Sequence, residues 1–148
     1  MSSYDVDKGL MAYLSDSGIL AGHVAGGVWK DAAPPEHSSY PYGVFENLGR
    51  TETQTSTGCN DTGQEYIIET VTYQVDLSFH VQGSSDTAGT LLNTLKPLLD
   101  NAPLVVAGNP CIRCRVIDDQ TMDGNGDTAA AMISLEIMVD ELVRTSPA

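Results

Sequence analysis

The sequence predicts an α+β fold: one mostly antiparallel sheet with two amphipathic helices packed on one face. Three observations carry this. Two segments, near the N-terminus and after residue 84, repeat apolar residues at helical spacing. One long segment alternates apolar and polar residues with period two. The other apolar segments are short and come in runs instead of strict strand–helix alternation, which disfavours a parallel sheet.

The first helix is expected from Ser3 to Asp16, because Val6, Leu10, Tyr13 and Leu14 fall on one stripe of a 3.6-residue repeat. Ser17-Gly18 ends it, glycine accepting the left-handed backbone common just past a helix. A short strand is expected at Gly27-Val28-Trp29. Pro34-Pro35 then forces a loop that cannot pair in a sheet. A second strand runs from Pro41 to Leu48. Residues 49–64 (GRTETQTSTGCNDTGQ) hold only Cys59 as an apolar side chain and read as a long polar loop or mobile hairpin.

The clearest signal follows. Val71, Tyr73, Val75, Leu77, Phe79 and Val81 are apolar, and every residue between them is polar, so one face of this strand is buried and the other wet. Ser84-Ser85-Asp86 offers helix caps, and Ala88, Leu91, Leu92, Leu95 and Leu99 form an apolar stripe. Pro97 is expected to kink or end this helix near Lys96. A strand at about 111–117, an acidic loop at 118–127 and a last strand from Met132 to Val143 complete the chain.

Leu, Ile, Val and Phe make up 23% of the 148 residues, above the roughly 20% level that marks disorder, so one folded domain over 1–148 is expected. Twenty acidic residues against seven basic give a net charge of −13. Gripping nucleic acid runs on Lys and Arg neutralising phosphates, and this chain lacks that means. An anionic membrane is disfavoured for the same reason, and no apolar run is long enough to span one. Asp5 and Asp7 stand where a secretory leader would need an apolar core, which predicts a cytoplasmic origin. The tripeptide Asn60-Asp61-Thr62 is then a chance match to a glycosylation signal.

No segment assembles catalytic chemistry convincingly. Asp76, Ser78 and His80 share one face of the long strand, about 7 Å apart per step, whereas a triad needs contacts near 3 Å from separate elements. There is no G-x-S-x-G elbow or phosphate-cradling glycine loop. Cys111 and Cys114 have a CxxC spacing, but at the start of an alternating strand they are expected on opposite faces, as buried or incidental thiols without metal or required disulfide. Asp123-Gly-Asn125-Gly-Asp127 opens like a calcium loop. Thr128 replaces its turn glycine and Ser134 its bidentate Glu, so a strand connector is expected. Trp29, Tyr40, Tyr42 and Phe45 are either an interface anchor or core.

Taken together, the order of segments is familiar. GGVWKDAAPPE precedes a strand opening YPYGVFENLG; a polar stretch, the strand ETVTYQVDLSFHVQG, the helix SSDTAGTLLNTLKPLLD and a final strand pair follow. This order over residues 4–143 resembles the tail-terminator (tail-completion) proteins of long-tailed bacteriophages and phage-like particles. The resemblance implies a non-enzymatic virion protein without cofactor. Such proteins form a ring, usually a hexamer, on the head-proximal end of the tail tube. The ring stops tube polymerisation, docks a head-completion protein and lets DNA pass without tight binding. Segments 49–64 and 118–127 are where the chain departs from the family's pattern. The first has almost no apolar side chain to bury, and the second gathers aspartates without a basic residue. Both are therefore expected to dock partners and to order on assembly, through Arg50, Glu52, Glu65, Asp118, Asp119, Asp123 and Asp127. Two rival readings remain: another neck component, or a small-ligand-binding domain with a pocket between long strand and helices.

Overall fold

A computed structural model describes residues 2–32, 39–59, 63, 65–124 and 126–145. The Pro34-Pro35 loop, the Asn60–Thr62 tripeptide and Asn125 lie outside the described residues.

Helix α1 (Ser3–Asp16) starts at Ser2, whose hydroxyl accepts from the Asp5 amide while the Asp5 carboxylate accepts from the Ser2 amide. This reciprocal cap satisfies two orphan donors, and those hydrogen bonds hold the Asp5 carboxyl below its ordinary range. Val6, Leu10 and Leu14 are fully buried along the expected stripe. Gly18 follows with φ of 78°, and a single turn, α2 (Ile19–Gly22), leads to β1 (Val28–Lys30). The chain continues through β2 (Tyr42–Cys59), β3 (Glu65–Gln82), α3 (Ser85–Leu99), β4 (Val105–Val106), β5 (Asn109–Pro110), β6 (Arg113–Asp123) and β7 (Thr128–Thr145). β4 and β5 pair across Ala107 and Gly108, both at positive φ, as a tight hairpin turn of this kind requires.

The main sheet has the order β1-β2-β3-β7-β6, antiparallel throughout except for the short parallel pair β1–β2. The α+β expectation therefore holds. α1 and α3 cover one face, where Val75, Leu77, Phe79, Ile133, Leu135 and Ile137 meet Leu10, Leu14, Leu95 and Leu99 in one core. The Tyr13 hydroxyl donates to the Leu98 carbonyl, tying α1 to the end of α3. At the far edge, Asp7, only 4% exposed, sits 2.8 Å from Lys30 Nζ and accepts from Asn47 Nδ2 at 2.8 Å. This link anchors α1 to β1 and β2.

Several local expectations are corrected. Residues 49–59 are not a loop: β2 runs on to Cys59, paired with Glu65–Gln74 of β3, so the hairpin alternative is the right one and its arms are strands. Residues 118–123 are strand too, paired with Ala129–Ser134 of β7. With both stretches already in ladder positions, no ordering on assembly is carried forward for them. β7 starts at Thr128, four residues earlier than expected, because both its neighbours continue that far. α3 does not end near Lys96. Pro97 lies within its last turn, where the Asp100 amide still reaches the Lys96 carbonyl.

Candidate functional site

Two surfaces remain after the core is filled: the sheet face opposite the helices, and the hairpin formed by the outer halves of β2 and β3. Side-chain alternation sends Gln74, Asp76, Ser78 and His80 of β3 to the open face, with Tyr42, Val44 and Glu46 of β2 beside them. Met132, Ser134, Glu136 and Met138 follow on β7, then Arg113, Arg115, Asp118 and Gln120 on β6.

One end of this face is aromatic. Tyr42 stacks on the His80 ring at 4.8 Å, meets Trp29 edge-on at 6.4 Å and Tyr40 at 5.4 Å. Phe45, one residue out of phase, is core. The four aromatics thus divide, three around the open face and one inside. Burial holds the His80 imidazole below its ordinary value, so it is neutral at pH 7. His80 stacks on a tyrosine and lies on one strand face with Ser78 and Asp76, the polar-row reading.

The middle of the face is acidic. Glu46 stands directly opposite Asp76, Asp76 opposite Ser134, and Ser134 opposite Asp118. Depressions of about 350 and 290 Å³ flank this row. Like charges directly across a ladder are unfavourable, and no described cation offsets them. The basic side chains described are all engaged elsewhere: Lys8 with Asp5, Lys30 with Asp7, Arg50 with Glu69, Lys96 with Asp119, and Arg113 and Arg115 with Glu136, at 2.7 to 3.9 Å. The charge of −13 is therefore displayed, not neutralised.

The partner residues expected from sequence fall into two groups. Arg50, Glu52 and Glu65 lie on the β2–β3 hairpin. Asp118, Asp119, Asp123 and Asp127 lie toward the β6–β7 turn. Since β3 spans the sheet from Tyr66, opposite Thr145, to Gln82, opposite Thr128, the tips of the two hairpins stand at opposite ends, on the order of 50 Å apart. Arg50, level with Tyr73, and Asp118, level with Asp76, are about 10 Å apart along the strands. Asp119 points to the helix side and binds Lys96, holding that ammonium above its ordinary value chiefly through the hydrogen bond. Asp123 and Asp127 frame a hairpin turn in which the Gly124 amide bonds the Thr128 carbonyl, the connector geometry.

The cysteines depart from expectation in one respect. Cys111 precedes β6, so it does not alternate with Cys114, and the two thiols reach the end of α3 and the segment that follows it. Cys114 Sγ donates to the Leu99 carbonyl and Cys111 Sγ to that of Ala102. Burial first, then the neighbouring Cys111, pushes the Cys114 thiol up to about 12, so it packs as a protonated apolar group. Among the described residues no three His, Cys, Asp or Glu side chains are grouped to hold a metal. A cleft of about 680 Å³ lies between α3 and the end of β3, lined by Thr87, Thr90, Leu91 and Thr94 with His23 and Tyr40. Asp86 is the one carboxylate of this lining, and Gln82 and the threonines are uncharged polar groups beside it.

The family model described as Tail completion protein gp17 matches residues 8–140. Among solved structures, a chain of the virion of a native gene transfer agent particle is 15% identical, with a TM-score of 0.54. The match covers 95% of this chain and 92% of that one. A second solved structure is 16% identical with a TM-score of 0.53, covering 100% of this chain and 99% of that one. At those identities the likeness is one of fold. No curated protein sequence matches.

Proposed function

The chain belongs to the family of tail completion protein gp17, a structural component of phage-type tails and so of the virion, and we propose that it acts as the tail terminator. In this reading copies form a ring, of six in the family's usual arrangement, on the head-proximal end of the tail tube. The ring ends tube polymerisation, offers the surface on which a head-completion protein docks, and surrounds the passage taken by DNA. The work is done by surfaces and needs no enzymatic step or cofactor.

The observation that carries the reading is the family match across nearly the whole chain. Geometry supports it in two ways. The charged hairpin and the acidic β6–β7 turn stand at opposite ends of one sheet, which suits a piece placed between two different neighbours. Arg50, Glu52 and Glu65 would serve one junction, and Asp118, Asp119, Asp123 and Asp127 the other. A surface of net charge −13 also suits a DNA passage, because like charge keeps phosphates from sticking.

Electron microscopy and solution mass of the purified protein, alone and with tail tubes, test the proposal. Closed rings, free or capping tubes, are expected. Particles lacking the protein should carry tails of uncontrolled length or fail to join heads. A chain that stays monomeric at high concentration and leaves tube length unchanged would overturn the terminator role.

A further inference from the structure

The β2–β3 hairpin is built as an arm. Its outer part adds nothing to the core among the described residues: residues 50–57 are exposed, and nothing on β3 from Glu65 to Thr70 is fully buried. Eleven residues from Gly49 to Cys59 reach on the order of 35 Å. An extension that buries so little does not stabilise the monomer.

Its outer edge is unprotected. The Gly43 amide and the Phe45 carbonyl face β1, so their partners on β3, Phe79 and Leu77, sit in pairs that exchange no ladder bonds. Following that alternation along β3 places Val71, Glu69 and Ile67 in the same class, opposite Thr53, Thr55 and Thr57. The amides and carbonyls of these three threonines point away from β3, and among the described residues they have no partner. Monomeric proteins blunt such edges with proline, lysine, a covering loop or short length. Here the run from Thr53 to Cys59 has no proline and no charge, and it alternates β-branched threonines.

The opposite side of the sheet has the matching gap. β6 begins at Arg113, opposite Met138, while β7 continues to Thr145. From Asp140 onward the β7 backbone has no strand on its outer side among the described residues. Through β3, Thr53 is level with Val139 and Gly58 with Thr145, so arm and gap lie at the same height on opposite edges. A contact between them is heterologous and at constant height, the type that closes into a ring. Charge points the same way. Copies carrying −13 each repel, and the arm's uncharged run is where they can approach.

We infer that the outer edge of β2, through Thr53, Thr55 and Thr57, adds as a strand to the vacant edge of β7 in a second copy of this chain, past the start of β6. This rests on the ring reading and names its seam.

Thr53→Pro with Thr55→Pro removes two outward amides that take part in no intrachain ladder bond, and Thr55→Lys places a charge on the edge without touching the backbone. Both variants should keep the wild-type circular dichroism and melt, yet remain monomeric under conditions where wild type forms rings. Deuterium uptake over residues 50–59 should fall when wild-type rings form. If folded variants of both kinds assemble like wild type, the seam is overturned and the ring reading stands. Wild-type protein that never forms rings overturns the ring reading and the seam together. Protection of 50–59 by added tail tube, with rings forming unprotected, would assign the arm to the tube instead.

Discussion

Tyr73 shows how one buried atom shapes this protein. Its ring lies in the core beside Val71 and Val75, 1% exposed, and among the described residues its hydroxyl has no hydrogen-bond partner. A buried donor left unpaired costs about 1–3 kcal/mol, whereas the ring contributes packing that phenylalanine would keep. Tyr73→Phe is therefore expected to leave stability unchanged or raise it by about 1 kcal/mol, measured as a shift of the denaturation midpoint at constant slope. A clear loss would mean that the hydroxyl has found a partner such as a bound water. Asp7 is the contrasting case: equally buried, but matched by Lys30 and Asn47, it holds α1 against the sheet edge.

Among the elements, α1 meets β4 at a point where a side chain does not fit. A Cβ built at Gly9 would lie 2.5 Å from the Val105 carbonyl oxygen, a backbone atom that cannot swing away. Alanine in a helix interior normally gains about 1 kcal/mol over glycine. Here the overpacking, about 1–3 kcal/mol, should reverse the sign. Gly9→Ala is expected to lower the melting temperature despite its better helix propensity, and a rise would show that β4 yields easily. How far each element could be read from sequence depends on whether it buries a face. β3 from Val71 to Val81 and α1 announce themselves because burial imposes their period. The arm does not, since neither face of residues 49–59 is buried; its signal is propensity alone, in Thr51, Thr53, Thr55 and Thr57. The outer half of β6 was hidden differently. A register shift between Val116 and Asp118 breaks the alternation and leaves Ile117 exposed, and the aspartates that follow are uncommon in strands. The open-face row Glu46–Asp76–Asp118 was illegible for a deeper reason: its members meet only through the register of four strands.

At the scale of the whole molecule, the length of the sheet separates two sets of charges that the sequence alone presents as one acidic average. Glu52 and Glu65 belong to the arm end and Asp123 and Asp127 to the turn end; along β3, Asp123 is on the order of 50 Å from Glu65 and about 30 Å from Glu52. At those distances the sets do not sense each other, because the Debye length is about 8 Å at physiological ionic strength. If the protein stands between tube and head, reversing charge at one end should damage one junction and spare the other. Glu52→Lys with Glu65→Lys forms one test pair, and Asp123→Lys with Asp127→Lys the other. All four residues lie outside the core, so both variants are expected to melt within a few degrees of wild type. Introduced into particles, one pair should yield tails of unregulated length, and the other tails of normal length that lack heads. Electron micrographs of tail length and head attachment separate these outcomes directly. The same defect from both pairs, or none from either, would show that the two ends of the sheet do not meet two different partners.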